Sequence, residues 1–130
     1  MIKVDLQKVL NDGDRRNFYR VVPAADKPVR IRSEAGSFAV LEISGGGCSL
    51  PLAARPAISG PVILELPGPD GRKIKISLKL RLVNEKGEVL GVEFINLDPD
   101  LQETICTYVL RRDIELARQR RARALNSFVD

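Results

Sequence analysis

The chain has 130 residues, of which 29% are charged and none is histidine, and its formal net charge is +4. This length suits one domain with a single hydrophobic core. The absence of histidine excludes the usual catalytic triads and removes the commonest general acid or base. The two cysteines are too few for an ordinary structural zinc site. We therefore expect a protein that is not an enzyme and that holds neither a metal nor a cofactor.

No apolar run is long enough to span a membrane, and the N-terminal residues are too polar for a signal peptide. These features predict a cytoplasmic protein, in which Cys48 and Cys106 are reduced and partly buried thiols. The modest positive charge favours acidic partners, but it does not choose among nucleic acids, nucleotides and acidic proteins.

Three arginines lie close together near the start of the chain, at Arg15, Arg16 and Arg20. Arginines on a loop are most often simply solvated. A guanidinium group, however, binds phosphate through two parallel hydrogen bonds and also pairs with the O6 and N7 acceptors of guanine. The cluster is therefore a candidate site for an anionic, planar ligand.

Two short strands are predicted next, within residues 28–33 and 37–43, with the turn Glu-Ala-Gly between them. A serine and three consecutive glycines follow, at residues 44–47. Glycine lets backbone N–H groups approach a ligand closely, and a serine hydroxyl adds another donor. The carboxylate of Glu42 could accept hydrogen bonds from guanine. A β-bulge or a barrel corner is the structural alternative for the glycines.

The clearest strand covers residues 73–83, where five apolar residues alternate with lysine, serine and arginine. A period of two places the apolar side chains on one face, so a half-buried antiparallel strand is predicted. A strand over residues 61–67 precedes it, a turn follows around Gly87, and another strand returns over residues 88–96. The number and spacing of these strands predict a compact barrel or sandwich.

After residue 97 the pattern changes to that of a helix. Asp98 is predicted to cap its N-terminus, with Pro99 at the first helical position. Apolar residues recur at helical spacing and form one stripe, which could lie on the barrel or on another subunit. The stripe consists of Leu101, Ile105, Tyr108, Val109 and Leu116. Beyond about residue 117 arginine and alanine dominate, which predicts an exposed helix end.

The arginine cluster and the serine–glycine segment together are similar to the motifs of a known family. Arg16 and Arg20 have the spacing RxxxR, and Glu42, Ser44 and Gly47 follow with the spacing ExSxxG. In this order, and on the predicted architecture, they resemble the PilZ domain family, which has an RxxxR loop and a [D/N]xSxxG strand motif. The resemblance implies a mostly β fold, namely a six-stranded antiparallel β-barrel with a C-terminal α-helix.

The resemblance also implies a division of the chain and a ligand. Residues 1–11 would form a short N-terminal segment, residues 12–97 the barrel with its arginine loop, and residues 98–125 the helix. Members of the family typically bind the bacterial second messenger cyclic di-GMP. By position, the ligand would contact Arg15, Arg16, Arg20, Glu42, Ser44, Gly46 and Gly47.

Each motif position has a role that the resemblance implies. Arg16 and Arg20 would bind the guanine faces and phosphates, and the serine and the last glycine of the second motif would complete the site from the barrel. An arginine at the position of Arg15 tends, in this family, to accompany an intercalated ligand dimer. One departure is Glu42, because the family has Asp or Asn there and the extra methylene moves the carboxylate.

Two functions are consistent with these features. The first is a receptor, in which cyclic di-GMP orders the arginine loop and changes the surface offered to an unidentified effector protein. The second is an adaptor of the same fold that does not bind nucleotide and acts through protein contacts, with the helix stripe as a route to a homodimer or a partner helix. Nucleic-acid binding by the C-terminal arginines is disfavoured, since Asp113 and Glu115 interrupt them and aromatic residues are few.

Overall fold

The computed structural model describes residues 19–129. They form one seven-stranded sheet, a 3-10 helix at Leu52–Ser59 and a C-terminal helix, α1, at Pro99–Val129. The strands are β1 Arg30–Ser33, β2 Gly36–Ala39, β3 Glu42–Ile43, β4 Gly47–Pro51, β5 Pro61–Pro67, β6 Lys73–Lys86 and β7 Val89–Ile95. The predicted N-terminal segment, residues 1–11, lies outside the described residues.

The order of strands across the sheet forces it to curl. Neighbours follow the order β2-β1-β5-β6-β7-β4-β3, and all pairs are antiparallel. Strands β2 and β3 are therefore at opposite edges, although only Val40 and Leu41 separate them along the chain. Because consecutive Cα atoms are about 3.8 Å apart, the Cα atoms of Ala39 and Glu42 can be no more than about 11 Å apart. The two edges thus lie close together, and the sheet is a half-barrel.

This arrangement corrects the predicted six-stranded barrel. The sheet has seven strands, and β2 and β3 are the first and last in its order. Residues 37–43 form two strands rather than one, because the chain changes partner in the middle. The N–H of Val40 donates to the carbonyl of Val29 at 2.9 Å, and the N–H of Leu41 donates to the carbonyl of Ser49 at 2.9 Å. Val40 and Leu41 lie between the two strands and belong to neither, with β2 paired to β1 and β3 paired to β4.

The central strands confirm the alternation read from the sequence. Ile76, Leu78 and Leu80 of β6 are buried, and the residues between them are exposed. The turn to β7 contains Gly87 at a φ of +60°, in the left-handed region that favours glycine. The sequence did not predict the register shift between Leu82 and Asn84, where β6 has a bulge against β7.

Helix α1 packs on the concave core of its own domain. Ile105, Tyr108 and Val109 are buried in the same cluster as the sheet residues, and Leu116 packs against that cluster. Leu101, which was predicted to belong to the stripe, is 36% exposed. The apolar stripe therefore serves mainly intramolecular packing. No helix within residues 19–129 combines the length and the apolar character that a membrane crossing requires.

The two ends of α1 differ in how they are held. The side chain of Asp98 accepts a hydrogen bond from the N–H of Asp100 at 2.8 Å, which confirms the predicted N-terminal cap. At the other end the helix continues beyond the predicted residue 125, to Val129. Residues 118–126 are exposed, as the arginine-rich composition predicted.

Candidate functional site

A cleft of about 390 Å³ lies between the turn that joins β3 to β4 and the hairpin of β6 and β7. The motif residues that border it are Arg20, Glu42, Ser44, Gly46 and Gly47. The remaining two predicted residues, Arg15 and Arg16, lie outside the described residues. Every predicted ligand-binding residue that the structure describes therefore faces one common space, although binding itself stays a prediction.

The backbone next to Arg20 is fixed to the sheet. Val21 is paired with Ile43, and the N–H of each donates to the carbonyl of the other at 2.9 Å. The side chain of Val21 is 3% exposed and belongs to the core. The Arg20 side chain is exposed and makes no hydrogen bond or ion pair with any other residue of the 19–129 range. Its guanidinium donors thus border the cleft on a fixed backbone.

Ser44 holds the turn between β3 and β4. Its Oγ accepts hydrogen bonds from the N–H groups of Gly46 and Gly47, each at 3.2 Å, and donates to the carbonyl of Gly47 at 3.3 Å. The side chain is buried within the turn. The Ser44 hydroxyl is therefore engaged by its own backbone and shapes the cleft wall, rather than standing free as a donor to a ligand.

Close packing explains one of the consecutive glycines. A Cβ on Gly47 would lie 2.2 Å from the carbonyl oxygen of Val92 and 3.0 Å from the Cα of Glu93. Gly47 is thus required because β4 lies directly against the backbone of β7. The carbonyl of Gly46 also accepts a hydrogen bond from the N–H of Phe94 at 2.9 Å. The structural alternative, close approach at a corner of the sheet, accounts for Gly47 without any ligand.

The opposite wall of the cleft was not predicted from the sequence. It consists of residues from β6 and β7, among them Val83, Asn84, Lys86, Gly91 and Glu93. A Cβ on Gly91 would lie 2.6 Å from Asn84 Oδ1, so the Asn84 side chain at the bulge occupies the space that a side chain on residue 91 would need. The glycine within the strand Leu-Gly-Val-Glu-Phe was the available signal, since an isolated glycine in a strand often marks a bulge or a close approach.

The described lining of the cleft carries balanced charge. Arg20 and Lys86 are positive, and Glu42 and Glu93 are negative. Glu93 forms an ion pair with Arg81, its cross-strand neighbour. An anionic ligand would therefore need further positive charge, and the motif assigns that charge to the arginines that precede residue 19.

The thiol of Cys48 also borders the cleft but is chemically inert. It is buried in the core, and desolvation raises its pKa to about 12. Burial, and then the charge of Glu103, raises the pKa of Cys106, which is only half-buried. Both thiols are free, and Cys106 is partly buried as predicted, whereas Cys48 is more completely buried than predicted. Cys48 is a packing residue, because a thiol with this pKa is protonated at neutral pH.

This difference gives a measurable order of reactivity. In the folded protein at about pH 8, iodoacetamide should modify Cys106 well before Cys48, because the attacking species is the thiolate and its fraction falls tenfold for each unit of raised pKa. Mass spectrometry of digested samples would follow both sites. The urea-unfolded chain is the control, in which both thiols should react at similar rates. Equal rates in the folded protein would contradict the burial of Cys48.

Side-chain donors of helix α1 bond to the turn of the second motif and to the segment that follows the first motif. Gln102 Nε2 donates to the carbonyl of Gly45 at 3.2 Å, within the turn between β3 and β4. Arg112 Nε donates to the carbonyl of Val22 at 2.7 Å, two residues beyond Arg20. Neither contact could be predicted from the sequence, because the partners are distant along the chain and are backbone carbonyls.

The family model of the PilZ domain matches residues 14–111, a span that includes both motifs and all seven strands. The chain belongs to the PilZ domain family. Among curated protein sequences, none matches this PilZ domain.

Solved structures share the fold at low sequence identity. The Legionella uncharacterized protein Lpg0364 is 12% identical with a TM-score of 0.55, and the match covers 77% of this chain and 99% of that one. The MrkH–c-di-GMP complex of K. pneumonia is 22% identical with a TM-score of 0.55, covering 82% of this chain and 56% of that one. The PilZ domain of YcgR from Escherichia coli, solved with c-di-GMP, is 15% identical with a TM-score of 0.50, covering 82% and 97%.

Proposed function

We propose that this PilZ domain is a receptor for cyclic di-GMP that signals to an effector protein. The observation that supports it most is the cleft of about 390 Å³, which Arg20, Glu42, Ser44, Gly46 and Gly47 all border. Family membership supports the same function, and two of the similar structures, MrkH and the YcgR domain, were solved with c-di-GMP. In this proposal cyclic di-GMP is a ligand that is bound and released unchanged.

Each side of the cleft would contribute a different kind of contact. The guanidinium groups of Arg15, Arg16 and Arg20 would pair with phosphates and with the O6 and N7 atoms of guanine. Glu42, which is half-buried in β3, would accept hydrogen bonds from the N1–H and N2–H groups of a guanine. The turn held by Ser44 would supply a rigid wall.

The contacts of α1 suggest how ligand binding could change the surface that an effector protein recognises. The ligand would engage Arg20 and the turn between β3 and β4, and the helix is bonded to both neighbourhoods through Arg112 and Gln102. Ordering of the arginine loop by the ligand would then change the surface around the start of the barrel and the adjacent helix. The effector protein would recognise that surface.

Isothermal titration of the full chain with cyclic di-GMP tests this function, with GTP as the control ligand. We expect saturable heat with cyclic di-GMP only. A stoichiometry of about two ligands per chain would support a role for Arg15 in holding an intercalated dimer. Absence of heat and of any melting shift would contradict the receptor function.

Glu42 gives a sharper prediction, because it differs from the residue that the family has at this position. Glu42→Ala should weaken cyclic di-GMP binding about tenfold or more, since a hydrogen bond to a charged group contributes about 1.5–3 kcal/mol. Glu42→Asp should bind at least as tightly as the wild type. Titration calorimetry measures both, with Glu34→Ala, an exposed carboxylate of the β1–β2 turn, as the matched control. Unchanged affinity in Glu42→Ala would exclude this carboxylate from the site.

The second candidate function is an adaptor that does not bind nucleotide. Two observations favour it: the described lining of the cleft carries balanced charge, and the Ser44 hydroxyl is already engaged by its own turn. The same titration separates the two functions, because an adaptor would show no heat with cyclic di-GMP.

A further inference from the structure

A second cavity, of about 230 Å³, lies between α1, the turn after β5 and the segment before β1. Among the described residues, its lining shares none with the candidate cleft. Lys27 comes from the segment before β1, and Tyr108, Arg111, Arg112 and Glu115 come from the helix. We refer to it as the Tyr108 cavity.

Two buried donors on residues that line the Tyr108 cavity lack acceptors within residues 19–129. The hydroxyl of Tyr108 and the Nε of Arg111 are buried and have no hydrogen-bond partner within residues 19–129. The rest of the Arg111 side chain is loosely held: Nη2 lies 3.4 Å from the carbonyl of Pro67, and the guanidinium carbon lies 6.0 Å from the centre of the Tyr108 ring. Buried donors are almost always paired in native proteins, so two neighbouring ones without partners indicate an acceptor that the chain does not itself supply.

The charge of the Tyr108 cavity identifies the kind of acceptor. Lys27, Arg111 and Arg112 are basic, and Glu115 is the one acidic residue in the part of the lining that the structure describes. Glu115 is bonded to Arg112 Nη1 at 3.1 Å, and Lys27 is exposed and unpaired within the described part of the chain. Arg112 is 9% exposed and is fixed by its bond to the carbonyl of Val22. An excess of guanidinium and ammonium groups beside two unpaired donors fits a group with several acceptor oxygens.

We propose that the Tyr108 cavity is a binding site for a small oxyanion, a phosphate or carboxylate group held by Arg111, Lys27 and the Tyr108 hydroxyl. Burial raises the pKa of Tyr108, so its hydroxyl stays protonated and donates at neutral pH. The group could belong to a free phosphate compound or to an acidic side chain of a protein partner. The proposal does not depend on cyclic di-GMP, because the two sites have separate linings.

Nuclear magnetic resonance of the arginine Nε–H groups tests this site in the full ¹⁵N-labelled chain, without nucleotide. Inorganic phosphate is titrated first and sodium acetate second, both at constant ionic strength. We expect the Arg111 Nε–H resonance to shift and saturate. Saturation with phosphate alone indicates a phosphate ligand, and saturation with acetate indicates a carboxylate from a protein. A linear shift with both anions would overturn the proposal.

Variants separate a specific site from general charge. Arg111→Gln should weaken phosphate or acetate binding about tenfold or more, because it removes a charge-assisted hydrogen bond, and Tyr108→Phe should weaken it several-fold. Arg118→Gln is the matched control, since Arg118 is exposed on the same helix and outside the cavity lining. Equal anion affinity in all three variants would also overturn the proposal.

The melting temperature distinguishes a Tyr108 hydroxyl that binds an anion from one that only stabilises the fold. In buffer free of phosphate and carboxylate, Tyr108→Phe should melt no lower than the wild type, because the hydroxyl it removes has no partner within residues 19–129. Added anion should raise the melting temperature of the wild type more than that of Tyr108→Phe. A lower melting temperature of Tyr108→Phe without anion would show that the hydroxyl bonds to the protein itself, and the proposal would fail.

Discussion

Arg20→Ala is expected to weaken cyclic di-GMP binding by about 10- to 100-fold, since hydrogen bonds to charged groups contribute about 1.5–3 kcal/mol each. The thermal stability should hardly change, because the Arg20 side chain is exposed and makes no hydrogen bond or ion pair within residues 19–129. Titration calorimetry and a thermal melt of the same sample measure both quantities. The combination matters, because lost affinity with an intact fold identifies a ligand contact.

The control for Arg20→Ala is Arg72→Ala. Arg72 is 89% exposed on the turn between β5 and β6, and it is not part of the cleft lining. The Arg72→Ala substitution removes the same charge from the chain as Arg20→Ala, and it should leave the affinity for cyclic di-GMP unchanged. Equal losses in the two variants would mean that only overall charge matters. No loss in Arg20→Ala would remove this arginine from the proposed site.

Gly47→Ala is expected to cause the largest loss of stability, about 3 kcal/mol, near the upper end of the range for overpacked positions. The added Cβ would lie 2.2 Å from the carbonyl oxygen of Val92, and this neighbour is backbone that pairs β4 with β7. A flexible side chain could move away, but a backbone carbonyl moves only if the strands separate. Urea denaturation measured by circular dichroism would give the free energy of unfolding.

The control for Gly47→Ala is Gly60→Ala. Gly60 has a φ of −136°, and no atom lies within 4 Å of the position that its Cβ would occupy. Its replacement should be neutral or slightly stabilising, because alanine reduces the conformational entropy of the unfolded chain. If both variants have the same unfolding free energy, the close contact of Gly47 with β7 is wrong.

The regular parts of this fold could be predicted because local patterns determine them. Residues 73–83 alternate strictly, and the boundaries of β5 coincide with the predicted residues 61–67. Asp98 and Pro99 marked the start of α1. The split between β2 and β3 could not be predicted, because it depends on which distant strands accept the hydrogen bonds of Val40 and Leu41.

The candidate site was predictable on one side only. The motif spacing identified Arg20, Glu42 and the serine–glycine turn, and these residues do border one cleft. The facing wall depends on the bulge at Leu82 and Asn84, which arises only when β6 pairs with β7. The requirement for glycine at position 47 could not be explained from the sequence either. A run of consecutive glycines is compatible with close approach to a ligand and with close approach to a neighbouring strand.

The pairing of Val21 with Ile43 has a consequence for the thermodynamics of recognition. Val21, the residue that follows Arg20, is already fixed by two hydrogen bonds of 2.9 Å. When Arg20 binds a ligand, the main cost at this residue is the restriction of its side-chain rotamers, about 0.5–1.5 kcal/mol for an immobilised flexible side chain. The backbone entropy at this position is lost during folding. Arg20 is thus partly preorganised, and the conformational entropy lost on binding offsets little of the free energy that its contacts contribute.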